Sequence, residues 1–101
     1  MEYVIEFAVS AAEELKSVRV FDRRRIVEEI EKQLTHEPAK PSRNRKSLTN
    51  VTAGFEHLQP LWELRVGDFR VFYDVSEKDN AVVVRAVRQK AKGRQTEDII
   101  E

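Results

Sequence analysis

The chain contains no cysteine, which excludes disulfides, thiolate metal sites and a cysteine nucleophile, and points to a cytoplasmic setting. It has no run of about 18 apolar residues, so no transmembrane helix is expected. Its first residues, Met1-Glu-Tyr-Val-Ile-Glu6, lack a basic region followed by a long apolar one, so they read as a strand and not as a signal peptide. Histidine occurs twice only, at His36 and His57. Proline and glycine are scarce, and Pro38, Pro41, Gly54 and Pro60 gather in one stretch. There is no internal repeat, and 101 residues suit one domain over residues 1–101. Net charge is zero, with 18 basic and 18 acidic residues, so no global field attracts a polyanion.

The zero net charge hides a segregation. Residues 38–55 carry Lys40, Arg43, Arg45 and Lys46 and no acid. Residues 81–95 carry Arg85, Arg88, Lys90, Lys92 and Arg94 and again no acid. Two such segments suit a local phosphate-binding patch, and equally a solvated charged surface.

Hydrophobic spacing gives the elements. Tyr3, Ile5 and Phe7 alternate with Val4, Glu6 and Ala8, which predicts a first strand. Ser10 and Glu13 fit a capping box opening a short helix. Asp22 is expected to cap a second helix, with Phe21 and Ile26 as a hydrophobic staple. Ile26, Val27, Ile30 and Leu34 form its apolar stripe, and Pro38 ends it. Residues 35–60 read as an irregular segment anchored by Leu48, Val51, Phe55 and Leu58. Leu61–Val75 then reads as two strands turning at Gly67-Asp68. Trp62, Leu64, Val66, Phe69, Val71, Tyr73 and Val75 supply the buried side. A turn at Glu77–Asn80 leads to a strongly β-prone strand, Ala81–Arg88. The tail has room for a short helix beginning near Gly93 or Thr96.

The expected fold is therefore α+β, ordered β-α-α-β-β-β with a possible final helix. The late strands, joined by short turns, must pair antiparallel. Two N-terminal helices cover one face of the sheet in a two-layer arrangement. With Val82, Val84 and Ala86 facing the core, the opposite face is left partly open and displays Glu6, Glu63, Arg65, Arg70 and Arg85. Such a cluster suits anion binding, or a cross-strand salt-bridge ladder that keeps the face solvated. Trp62 and Tyr73 are read as core. Arg23, Arg24 and Arg25 sit at the unfavourable end of a helix dipole, where they either contact an acidic partner or form a solvated face.

In this order, Lys46-Ser-Leu48, Trp62-Glu-Leu-Arg-Val-Gly-Asp-Phe-Arg-Val-Phe-Tyr73 and Val82-Val-Val-Arg-Ala-Val87 resemble the RelE/ParE toxin superfamily of type II toxin–antitoxin systems. The resemblance covers most of the chain and implies two alternative activities. One is ribosome-dependent mRNA cleavage, in which a 2′-hydroxyl attacks the adjacent phosphate. The other is inhibition of DNA gyrase without hydrolysis; a non-toxic, binding-only member is a third possibility. For cleavage, the resemblance makes Arg70, Arg65, Glu63 and Lys92 the catalytic candidates, with Glu63 as base. Arg43, Arg45, Lys46, Arg85, Arg88 and Lys90 become the RNA-binding candidates. It implies a cognate antitoxin as partner, with the ribosome and mRNA as target, and requires no cofactor, metal or membrane. The chain departs from the pattern after its last strand. Active ribonucleases of this kind usually carry a tyrosine or a His-Tyr pair there, and residues 88–98 contain neither. His36 and His57 are the other acid–base candidates.

Overall fold

The computed structural model describes residues 2–101. Its elements are β1 (Val4–Phe7), α1 (Val9–Lys16), α2 (Val20–Leu34), β2 (Arg45–Leu48), β3 (Leu61–Val66), β4 (Phe69–Ser76), β5 (Ala81–Gln89) and α3 (Thr96–Ile99). One five-stranded sheet runs in the order β1-β5-β4-β3-β2. The expected α+β fold is present, and so is the final helix starting at Thr96. Strands β2 to β5 pair antiparallel, while β1 lies parallel to β5 and makes the sheet mixed. No helix of the described residues is long and apolar enough to cross a membrane.

The first core lies between the helices and one sheet face. Ala11 and Leu15 of α1 and Ile26, Ile30 and Leu34 of α2 pack on Trp62, Leu64, Val66, Phe69, Val71, Tyr73, Val82, Val84 and Val87. The alternation read from β3 and β4 is therefore the real one. Each fully buried leucine or isoleucine contributes roughly 1.5–3 kcal/mol, so the three-residue stripe of α2 is a main source of stability.

The second face is covered over its middle, while Glu6 and Arg65 stay exposed. Leu48, Leu61, Phe72, Ala86 and Ile100 form a smaller core, sealed by Val51, Ala53, Phe55 and Ile99. Residues 49–60 and the C-terminal segment supply this cover. Gly54 N–H donates to the Ile100 carbonyl at 3.0 Å, and a Cβ at Gly54 would overlap the backbone of Glu101.

Ala86 faces this second core and not the helices. The register explains why. Phe72 pairs with Ala86 but Tyr73 pairs with Val84, so Arg85 is an extra residue in β5. Such a bulge flips the alternation beyond it, which returns Val87 to the helix side. Asp74, fully buried on β4, takes the Arg85 Nε at 2.6 Å and Nη2 at 3.3 Å, and accepts the Leu58 N–H at 3.0 Å.

The helix starts differ from the expected caps. Helix α1 begins at Val9 with Ala8 as N-cap, and Ser10 Oγ instead donates to the Arg85 carbonyl at 3.4 Å. Helix α2 begins at Val20, so Asp22 lies in its first turn and accepts from Arg19. Phe21 is 77% exposed and forms no staple. Arg23 donates to the carbonyls of Leu15, Lys16 and Val18 at 3.2, 2.9 and 3.0 Å, closing the C-terminus of α1. Burying that guanidinium against orphan carbonyls offsets its poor position in the dipole of α2.

Strand β2 went unforeseen inside the irregular segment. Its side chains are largely exposed, and it is held by backbone pairing to β3. Arg45 anchors its start by donating to the Lys40 carbonyl at 3.0 Å and to the Gln33 carbonyl and Oε1 at 2.8 and 2.9 Å.

Removing Arg85 would leave the Asp74 carboxylate buried with one backbone donor. We expect Arg85→Ala to lose about 3–5 kcal/mol of unfolding free energy, read by urea denaturation. A loss below about 1 kcal/mol would show that the pair is not what holds the bulge.

Candidate functional site

The β3–β4 hairpin organises one corner of the sheet. Gly67 takes φ +58° at the first of two turn positions, where glycine is favoured in tight hairpins. A Cβ there would also lie 2.7 Å from the Arg25 guanidinium, which packs against the turn from α2.

Register brings three arginines into one row on the second face. Arg65 pairs with Arg70, and Arg70 pairs with Arg88. Like charges directly opposite each other across strands are destabilising unless neutralised. Arg88 is neutralised: its Nε meets Glu14 at 2.7 Å, its Nη1 donates to the Ile99 and Glu101 carbonyls, and its guanidinium stacks 5.4 Å from the Phe55 ring centre. The same Glu14 accepts the Val87 N–H at 3.0 Å. Arg70 is only partly neutralised. Its Nη1 donates to the Gly67 and Phe69 carbonyls at 2.8 and 2.9 Å, and its Nε stands 3.9 Å from Glu63. Among the described residues, Arg65 has no ion pair.

Glu63 is 4% exposed. Lys46, its cross-strand neighbour, lies 3.4 Å away, and Thr96 Oγ1 donates to it at 3.0 Å from the start of α3. The carboxylate thus joins β2, β3, β4 and α3, and it is closed off from a substrate in this conformation.

Beside Arg70 lies an open cavity of about 580 Å³. Its lining includes Arg70, Lys90, Lys92 and Arg94, with Asp68 as the one acid. Lys90 N–H donates to the Asp68 carbonyl at 2.7 Å, which fixes the end of β5 against the hairpin. Gly93, at φ +86°, and the bond from Arg94 N–H to the Ala91 carbonyl at 3.0 Å turn the chain back around the cavity. Among the described residues, Lys90, Lys92 and Arg94 have no carboxylate partner. Arg94 was not among the candidates read from sequence; the acid-free run 81–95 was the only signal for it.

The other candidates are placed as follows. Arg45, Arg85 and Arg88 direct their donors inward, as described, and act as ties within the fold. Arg43 and Lys46 are exposed at the β2 edge, and Glu6 is exposed on β1. Trp62 is core, stacked on Tyr73 with ring centres 6.2 Å apart. His57 contacts the Leu58 carbonyl through Nδ1 at 2.8 Å and packs edge-on to Phe55. Tyr73 donates its buried hydroxyl to the Pro38 carbonyl at 2.7 Å. Burial pushes the Tyr73 hydroxyl well above the ordinary tyrosine value, against a smaller opposing pull from Arg45. Neither aromatic hydroxyl of the chain reaches the cavity, because Tyr3 donates to Glu77 at 2.7 Å on the far side of the sheet.

This corner gathers four cations around one cavity, and of their side chains Arg70 alone is held by hydrogen bonds among the described residues. The planar guanidinium fork of Arg70 suits bidentate contact with phosphate oxygens. Lys90 and Lys92 add point charges, and an ammonium is also able to give up a proton.

The fold recurs in RelE-type toxins. A TM-score of 0.70 relates it to the archaeal RelE–RelB complex from Pyrococcus horikoshii, at 24% identity over 92% of this chain and all of that one. The toxin–antitoxin complex RelBE2 from Mycobacterium tuberculosis gives a TM-score of 0.74 at 24% identity, covering 91% and 95% of the two chains. The RelB–RelE complex from Methanococcus jannaschii gives 0.58 at 20% identity, covering 83% and 88%. A search of curated proteins finds no significant match. The sequence pattern of the ParE toxin of the type II toxin–antitoxin system parDE matches residues 5–93, and the chain belongs to this family, within the RelE/ParE superfamily.

Tyr73 offers a test of the packing around β4. Its raised value favours the neutral, folded form, so its contribution to stability is full below the ordinary tyrosine pKa of about 10 and declines as pH rises above it. We expect alkaline unfolding to coincide with tyrosinate absorbance, and Tyr73→Phe to cost about 1–3 kcal/mol through the unpaired Pro38 carbonyl. A Tyr73 that ionises near pH 10 without unfolding would contradict its burial.

Proposed function

We propose that this type II toxin uses the cationic corner beside Arg70 to bind a phosphate of single-stranded mRNA, as a ribosome-dependent endoribonuclease. The observation that carries the reading is that Arg70, Lys90, Lys92 and Arg94 line one open cavity, three of them without carboxylate partners among the described residues. In this reading Arg70 stabilises the charge that develops on the phosphate when the 2′-hydroxyl attacks. Lys92, exposed on the cavity wall, donates the proton that the leaving 5′-oxygen needs. Arg65 holds an adjoining phosphate. Glu63 acts as a positioning group for Lys46 and Arg70 and not as the base. With no base fixed at the cavity, the 2′-hydroxyl proton passes to solvent water as the P–O bond forms, so the chemistry relies on charge neutralisation and is slow.

The toxin is held inactive in the cytoplasm by a cognate antitoxin, the kind of partner present in the related complexes. Val9, Val20 and Phe21, exposed at 76%, 63% and 77%, support docking on the helix side.

A second reading, inhibition of DNA gyrase by binding alone, is favoured by the enclosure of Glu63 beneath Thr96 and by the ParE family match. One experiment separates the two. The chain and its Arg70→Ala variant are induced in growing cells, with mRNA ends mapped on ribosomes and gyrase–DNA cleavage complexes measured. The ribonuclease reading expects new ribosome-associated mRNA ends that fall about 100-fold or more in the variant, in line with loss of one transition-state donor. Growth arrest with no new ends overturns it, and accumulation of gyrase–DNA complexes then establishes the second.

A further inference from the structure

A second cavity, of about 310 Å³, opens on the other side of Lys90. Lys46, Ser47 and Thr49 of the β2 region line one wall, and Gln95 and Thr96 line the other. Lys90 lines this cavity and also the cavity of Arg70, Lys92 and Arg94. The two recesses therefore share Lys90 in their linings.

Their linings suit related ligands. The first offers guanidinium and ammonium groups. The second offers Lys46, whose side chain is 62% exposed although its Nζ lies 3.4 Å from Glu63, together with hydroxyl and amide groups that donate to phosphate oxygens. Carboxylates are present too: Asp68 in the first cavity, Glu97 in the second, and Glu63 behind Lys46. Five cations thus face three carboxylates, which keeps the track positive but moderate in strength.

We propose that the two cavities are adjacent phosphate subsites for one single strand, with Lys90 shared between consecutive phosphates and Lys46, Ser47 and Thr49 forming the second subsite. This rests on the nucleic-acid reading of the Arg70 cavity and extends it to a ligand with two linked phosphates. A lone phosphate would engage the Arg70 side only. A flexible strand would bend through the two recesses.

Uncleavable thymidine oligodeoxynucleotides test this, because they lack the 2′-hydroxyl. Binding of a dinucleotide, with one internal phosphate, and a trinucleotide, with two, is followed by NMR shifts of the purified chain at several salt concentrations. For single strands the slope of log affinity against log salt is about −0.7 per phosphate neutralised. We expect about −0.7 for the dinucleotide and about −1.4 for the trinucleotide. Lys46→Ala should return the trinucleotide to the dinucleotide slope, and Lys90→Ala should weaken both. Thr49→Glu, at an exposed position of the same cavity, should repeat the Lys46 effect without touching Glu63. Equal slopes for both ligands, or no response to either Lys46→Ala or Thr49→Glu, overturn the second subsite and leave the Arg70 site standing. Failure of both oligonucleotides to bind at low salt overturns the nucleic-acid reading itself.

Discussion

The extra residue at Arg85 decides what each side of the sheet presents. Strand β5 pairs with both β1 and β4, so its alternation is transmitted to its neighbours. Without the bulge, Arg88 would follow Val82, Val84 and Ala86 into the helix-side core, and a guanidinium there would be costly to bury. With it, Ala86 fills the second core and Arg88 reaches Glu14 and the C-terminal carbonyls. The Asp74–Arg85 pair sits at the bulge itself, where burial leaves the carboxylate 1% exposed and strengthens its dependence on one partner. The interaction holds geometry first: it fixes where the chain changes face.

Charge then separates into two kinds on that face. Arg45, Arg85 and Arg88 are bonded to carbonyls and carboxylates and join elements distant in sequence. Arg65, Lys90, Lys92 and Arg94 are left without carboxylate partners among the described residues, and they gather at the hairpin end of the sheet. Folding alone gives no reason for that gathering, because it concentrates like charge beside Arg70. A binding role gives one. Glu63 stands between the two kinds. It neutralises the inner edge of the cluster through Lys46 and Arg70, and Thr96 ties the C-terminal segment to it.

Much of the fold was legible because period-two alternation survives wherever a strand is regular. Strands β3 and β4 assigned their own faces correctly, and Arg65, Glu63 and Arg70 were placed together on that basis. What remained hidden had specific physical causes. Strand β2 carries Arg45-Lys-Ser-Leu48, of which only Leu48 is buried, so its pairing comes from backbone bonds that leave no apolar pattern. Four valines and an alanine near the bulge look alike on either face, so the shift at Arg85 had no signature. The caps at Ser10 and Asp22 were plausible in isolation, yet both helices begin slightly earlier because Ala8 and Arg19 already have extended backbone. The cover over the second face was missed because it is built from a loop and four helical residues, neither of which shows periodicity.

That cover changes what the missing tyrosine means. A segment with no tyrosine or histidine after the last strand looks deficient if the sheet face lies open, since an open site needs an acid from somewhere. Here the same segment performs other work. Its basic residues wall the Arg70 cavity, Thr96 closes Glu63, and Ile99 and Ile100 seal the second core. A strand of nucleic acid meeting this surface would encounter charge before it encountered any proton donor other than an ammonium. What the segment contributes at this corner is therefore charge: Lys90, Lys92 and Arg94 join Arg70 around one cavity, while the hydroxyl of Thr96 is already spent on Glu63.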